Sequence, residues 1–209
     1  MAKRPAWTIT DNTVVHKDFE FEWNGGFAIS QKQKNIANLH EAIHRITGEN
    51  ALEISSKGMV PLGKEMSAFS LHYNGIALEN IFQSAKKYEF GGPYTDLLSV
   101  TPKEAKRDDR HTSSGRLVSF CYAHEEWPIE PKTLFYDYIF INALIQNFGT
   151  DLDLSSYDWF TDIEFNPQKS INCQARSVAI YKLLQKEKRF DVLEDKIGWK
   201  EYHTGHVKG

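Results

Sequence analysis

The spacing of apolar residues changes period several times along the chain, and each change marks a different element. From Asp18 to Trp23 charged and large apolar residues alternate, with Phe19, Phe21 and Trp23 on one side. A period of two predicts a half-buried strand, closed by a turn at Gly25-Gly26. A helix is expected from about Ser30 to Ile46. Between Ala51 and Gly75 short apolar runs are broken by Ser, Gly and Pro, which predicts strands and loops rather than a helix. In "ALENIFQSAKKYEF", Ala77 to Phe90, the residues Leu78, Ile81, Phe82 and Ala85 recur at i, i+3, i+4 and i+7. That spacing predicts one helix with this stripe in the core.

"TPKEAKRDDR" puts Thr101 at an N-cap, Pro102 at the first helical position and Glu104 where a capping box needs it. Thr133 to Phe148 is apolar around most of its circumference, which predicts a central helix packed on several sides. A last long helix is expected over "CQARSVAIYKLLQKEKRF", with Asn172 as its N-cap. Helices therefore dominate a smaller strand component, and the predicted class is α+β.

Composition narrows the possibilities. With 209 residues, 41% apolar and 13% aromatic, the chain can bury a sizeable core as one globular unit. A net charge of -3 excludes a global basic footprint, so any grip on nucleic acid must come from a local patch. Cys121 and Cys173 are too few for a disulfide framework and suit a reducing compartment as small buried residues. No apolar run approaches the ~20 residues that span a bilayer, and no apolar segment follows the basic N-terminus. The expectation is a soluble cytoplasmic protein with no membrane partner.

Phosphate loops, dinucleotide fingerprints, zinc-protease helices and serine-hydrolase elbows are all absent from the sequence. His40 and His44, at i, i+4, read as a helix surface pair rather than a metal site, and no metal or other cofactor is expected.

Three segments carry candidate chemistry. Glu79, Gln83 and Lys86 follow i, i+4, i+7 and border the apolar stripe of their helix; periodicity leaves open whether they are a solvated flank or a working edge. Lys103, Lys106, Arg107, Arg110 and Arg116 cluster near a helix start, an arrangement that suits anionic phosphates or, equally, a solvated charged face. Asp162 and Glu164 stand between aromatics, ahead of Asn166, Asn172 and Arg176. Carboxylates so flanked are either partly desolvated acid-base groups or caps for neighbouring helices.

"LENIFQSAKKYE" followed by "SVTPKEAKRDDR" resembles the signature of the NADAR (NAD- and ADP-ribose-associated) family. There a helical Glu is followed seven residues later by Lys, then by a Ser/Thr-Pro-x-x-Ala-[KR] helix start. "WNGGFAISQKQKNIANLHEA", "LEISSKG", "LGKEMSAF", "GGPYTDLL", "WPIEPKTLFYDYIF" and "YDWFTDIEFNPQKSINCQARS" look more specifically like its antitoxin branch, paired with DarT-type toxins. The resemblance implies a YbiA-like NADAR domain over 51–209, with residues 1–50 as a strand and helix extension packed on it.

It also implies an activity. DarT-type toxins attach ADP-ribose to DNA bases, and antitoxins of this branch hydrolyse the resulting N-glycosidic bond on guanine. ADP-ribosylated DNA is then the substrate and the cognate toxin the partner. The alternatives are an N-glycosidase of riboflavin-pathway intermediates, as in distant relatives, or a non-catalytic module that binds the toxin or ADP-ribose.

Carried over by position, Glu79, Lys86, Asp162 and Glu164 are the implied catalytic residues. Ser55, Ser56, Lys57, Phe69, Gln83, Arg107, Asn172 and Arg176 are implied substrate contacts, with Trp127 stacking on a base. Lys86 would either hold the substrate as a cation or attack the anomeric carbon as an amine. Ala68 stands where relatives carry Asn in a Ser-Asn-Phe element, so one polar contact of the wider family is missing. Lys32 and Lys34, before the core, are expected along the DNA backbone.

Overall fold

A computed structural model describes residues 1–168 and 170–208. The chain opens with a hairpin of β1 (Ala2–Thr10) and β2 (Thr13–Phe21), paired along its whole length. Alternation buries Phe19 and Phe21, while Trp23 lies beyond the strand end and is half-buried. Helix α1 (Ile29–Thr47) follows and turns Ile36, Leu39 and Ile43 toward the hairpin, where they pack with Phe19, Phe21 and Trp159.

Short elements come next: β3 (Ala51–Glu53), α2 (Pro61–Glu65), β4 (His72–Tyr73), β5 (Ile76–Ala77) and α3 (Leu78–Ser84). Two expectations are corrected here. The Ala51 to Gly75 stretch contains helix α2, started by Pro61 at its first turn. The helix predicted from Ala77 to Phe90 stops at Ser84, and Lys86–Tyr88 forms β6 instead. The reason is tertiary, since β6 pairs with Leu117–Phe120 and the Cys121 amide donates to the Ala85 carbonyl.

After a 3-10 turn at Thr95–Ser99, α4 (Pro102–Arg107) begins with the predicted capping box. The Glu104 amide donates to the Thr101 hydroxyl, and the Glu104 carboxylate accepts from the Thr101 amide at 2.9 Å. Helix α5 (Arg110–Ser113) leads to β7 (Leu117–Tyr122) and β8 (Glu125–Pro128), which complete a sheet in the order β6-β7-β8. Cys121 lies on β7 and is only half-buried, whereas Cys173 is buried as expected.

Helix α6 (Leu134–Phe148) is the predicted central helix; Ile139, Phe140, Ile141 and Leu144 are fully enclosed. Strand β9 (Trp159–Thr161) then enters the first sheet, whose order is β2-β1-β9-β3. Helix α7 (Gln174–Glu187), a 3-10 turn at Phe190–Leu193 and α8 (Lys196–His206) close the fold. Cys173, not Asn172, is the N-cap residue of α7, and no side chain caps that end. The architecture is α+β. Among the described residues no helix is long and apolar enough to cross a membrane.

The topology that positions the site is the parallel pairing of β3 with β9, Glu53 opposite Thr161. Parallel strands end on the same side, so the loops after them, with Ser55–Lys57 and Asp162–Glu164, emerge together. Ligands in open α/β sheets favour such an edge.

Candidate functional site

A cleft of about 1070 Å³ opens at that edge. It is floored by Tyr136 of α6 and Phe82 of α3, and flanked by α3, α4 and the loops after β3 and β9. Its size lies just above the ~300–1,000 Å³ typical of small-ligand sites.

Helix α3 supplies the first functional group. Seven residues are too few to be helical alone, and all seven are buried, so packing holds this helix in place. Asn80 fixes its other side by donating to the carbonyls of Leu97 and Val100, at 2.6 and 2.7 Å, which brings α4 alongside. On the cleft side the Gln83 amide donates to Glu79 Oε1 at 2.8 Å, and Lys86 Nζ donates to Gln83 Oε1 at 2.6 Å. The stripe expected on one helix is thus a relay across a helix-to-strand junction. Lys86 Nζ also sits 5.0 Å from the centre of the Phe82 ring.

Burial pulls the Lys86 amine down to about 8; Glu79 opposes the shift and Lys106 adds to it. Lys106 Nζ in turn lies 3.8 Å from Glu79 Oε1.

The second group is the loop after β9. Asp162 is buried, lines the cleft and accepts from Gln174 Nε2 at 3.1 Å and from the Glu164 amide at 3.1 Å. Burial, and then the nearby Glu53 carboxylate, raise the Asp162 carboxyl to about 7. Glu164 is exposed at the rim, 3.2 Å from Lys32 Nζ. Gln174 also accepts from the Ala68 amide at 2.6 Å, so the backbone of the Ser-Ala-Phe element is tied to the acid loop.

The structure therefore brings Glu79, Gln83, Lys86, Asp162 and Glu164 to one cleft, with Ser55, Ser56, Lys57, Phe69, Arg107 and Asn172 also on its lining. The Ser55 hydroxyl is already committed, donating to Glu53 Oε1 at 2.7 Å. Phe69 is 43% exposed, with Lys106 Nζ 5.3 Å from its ring centre.

Two predicted contacts are corrected. Trp127 is 2% exposed and packs on Phe135 and Tyr138 in the core, so it has no face free for a base. Arg176 is 2% exposed and paired with Asp137 at 3.3 Å, away from the cleft lining, so it cannot reach a diphosphate. Lys34 is exposed on α1, outside the cleft, and Lys32 is engaged with Glu164.

Of the predicted surface pair His44 is exposed, but His40 is half-buried and turned inward. Its Nε2 lies 2.8 Å from Thr161 Oγ1, and burial lowers the imidazole to about 4. Among the described residues no group of three or more His, Cys, Asp and Glu is placed to hold a metal.

Sequence reasoning missed Glu53, Tyr136 and Gln174. Only Glu53 left a signal, an acid between Leu52 and Ile54 in a short apolar run.

No curated protein matches the sequence. The model of one family, described as DarT1-associated NADAR antitoxin, matches residues 2–208. A match over nearly the whole chain is decisive, and the protein belongs to the family of DarT1-associated NADAR antitoxins.

Proposed function

We propose that the cleft hydrolyses the N-glycosidic bond joining ADP-ribose to a guanine base of DNA, and so reverses the modification made by a DarT-type toxin. The observation that carries this reading is the pairing in one cleft of a depressed amine, Lys86, with an elevated acid, Asp162. Titratable groups pushed in opposite directions are the usual mark of acid-base chemistry. Lys57, Lys103, Lys106, Arg107 and Lys132 on the lining suit a diphosphate and a DNA backbone.

In this reading the neutral Lys86 amine adds to the ribose C1′ as the C1′–N bond breaks. Asp162 delivers its proton to the departing base nitrogen. Glu79, joined to the amine through Gln83, stabilises positive charge on the ribose in the transition state. Water then releases ADP-ribose from the lysine and regenerates the amine. With an amine near 8, roughly a tenth of Lys86 is neutral at pH 7, enough to act as a nucleophile.

The test is incubation with an ADP-ribosylated oligonucleotide. Wild-type protein is expected to release ADP-ribose and restore guanine, and Glu79→Gln and Lys86→Ala to lose that activity. An adduct left intact by wild-type protein, or variants as active as wild type, overturns the reading.

A further inference from the structure

Below the cleft, and absent from its lining, Glu53 occupies the last position of β3 and is 3% exposed. Its carboxylate has three donors. The Ser55 hydroxyl and the Ile163 amide reach Oε1 at 2.7 and 2.8 Å, and the Thr161 hydroxyl reaches Oε2 at 2.7 Å. Two of these donors belong to the residues immediately before and after Asp162. Helix α2 packs directly on the backbone of the same residue: a Cβ on Gly63 would collide with the Glu53 carbonyl oxygen.

We propose that Glu53 is the positioning residue of this cleft: clamped between Thr161 and Ile163, its carboxylate fixes the turn that aims Asp162 and decides which of the two acids carries the proton.

Donor geometry supplies the reason. Two buried carboxyl groups whose charges repel do not readily both ionise, and the negative charge settles on the one with more donors. Glu53 has three donors and Asp162 two, so the charge belongs to Glu53 and the proton to Asp162. Burial raises both groups, and each feels the charge of Glu164.

The groups facing the pair come from every neighbouring element. Glu164 is bonded to Lys32; His40 of α1 reaches Thr161; the Tyr136 phenol of α6 and the Cys173 thiol before α7 are both raised further by Asp162. Since Thr161 donates to Glu53, its oxygen accepts from His40 Nε2–H. The acceptor-only Glu53 carboxylate thus fixes the direction of a chain running His40 to Thr161 to Glu53.

Glu53→Gln is a close test because the chain can reverse. The Gln oxygen still accepts from Ser55 and Ile163, its amide donates to Thr161, and Thr161 donates to the other tautomer of His40. Hydrogen bonds survive while the charge is removed. Carbon-13 NMR of the side-chain carboxyls, read against pH, should show the Asp162 midpoint moving downward by at least about one pH unit. Under the glycohydrolase reading, on which the catalytic consequence rests, kcat falls near neutral pH with KM little changed.

Should Glu53→Gln fail to fold, Ser55→Ala removes one donor, lets Glu53 compete for the proton and gives a smaller shift in the same direction. An Asp162 midpoint unmoved in the folded variants overturns the inference. A wild-type protein with no activity on the modified oligonucleotide would sink the catalytic reading alone and leave the titration result standing.

Discussion

Asp137 and Asp162 are both buried acids next to long helices, yet their surroundings are opposite. Asp137 of α6 is met by Arg176 at 3.3 Å, His203 at 2.9 Å, the Ser177 hydroxyl at 2.6 Å and the Thr133 hydroxyl at 2.9 Å. Burial alone would push its carboxyl up, but Arg176, His203 and these hydrogen bonds outweigh burial and hold it at about 2. Asp162 has two neutral donors and no cation, faces a cleft, and shares its surroundings with a second acid. Burial does not make a functional acid. Burial without a countercharge, at a surface a ligand can reach, gives a group that can exchange a proton near neutral pH.

The comparison is broken most severely at the cleft itself. Lys86→Ala and Glu79→Gln should each lower turnover of ADP-ribosylated oligonucleotide by about 10²–10⁴-fold, while circular dichroism and melting remain close to wild type. Asp137→Ala should do the reverse, leaving Arg176 charged and unpaired in the core. A loss of about 3–5 kcal/mol is expected in denaturant unfolding, with normal activity in the fraction that remains folded.

A subtler separation comes from pH. The Asp137 carboxyl lies below its unfolded value, so the stability it contributes is present above about pH 4 and lost as pH falls toward about 2. The Asp162 carboxyl lies above its unfolded value, so the folded state binds the extra proton and stability falls as pH rises from about 4 to 7. Asp162→Asn should therefore stabilise the protein at pH 8, by roughly 1–3 kcal/mol, while abolishing activity. Destabilisation by that substitution at pH 8 would contradict the account of the pair.

The smallest effect belongs to the periphery. Lys34→Ala should weaken DNA binding slightly and flatten the logarithmic salt dependence by about one phosphate's worth, whereas Lys32 is held by Glu164 and contributes less.

The same contrast explains what the sequence revealed. Signals that are local in the chain held: the capping box at Thr101 and Glu104, the alternation at Phe19 and Phe21, and the enclosed helix α6 all depend on residues within a few positions. The end of α3 was hidden because the partner of Lys86–Tyr88 is a strand about thirty residues later. Arg176 and Asp162 look alike in sequence, each polar and set near apolar residues. Only the packing of α6, α7 and α8 reveals that one is neutralised and the other exposed to a cleft. The partners of Glu53 and His40 were unreadable for the same reason, since Thr161 is 108 and 121 residues away from them in the chain.

The pairing of Lys86 with Asp162 is tested most directly by adding borohydride during turnover of an ADP-ribosylated guanine oligonucleotide. If Lys86 bonds to C1′, the ring-opened imine is reduced, and mass spectrometry finds the sugar nucleotide fixed to Lys86 in wild-type protein and absent from Lys86→Ala. Release of ADP-ribose with no trapped lysine would contradict the nucleophilic role, and an intact adduct with unlabelled protein would contradict the glycohydrolase itself.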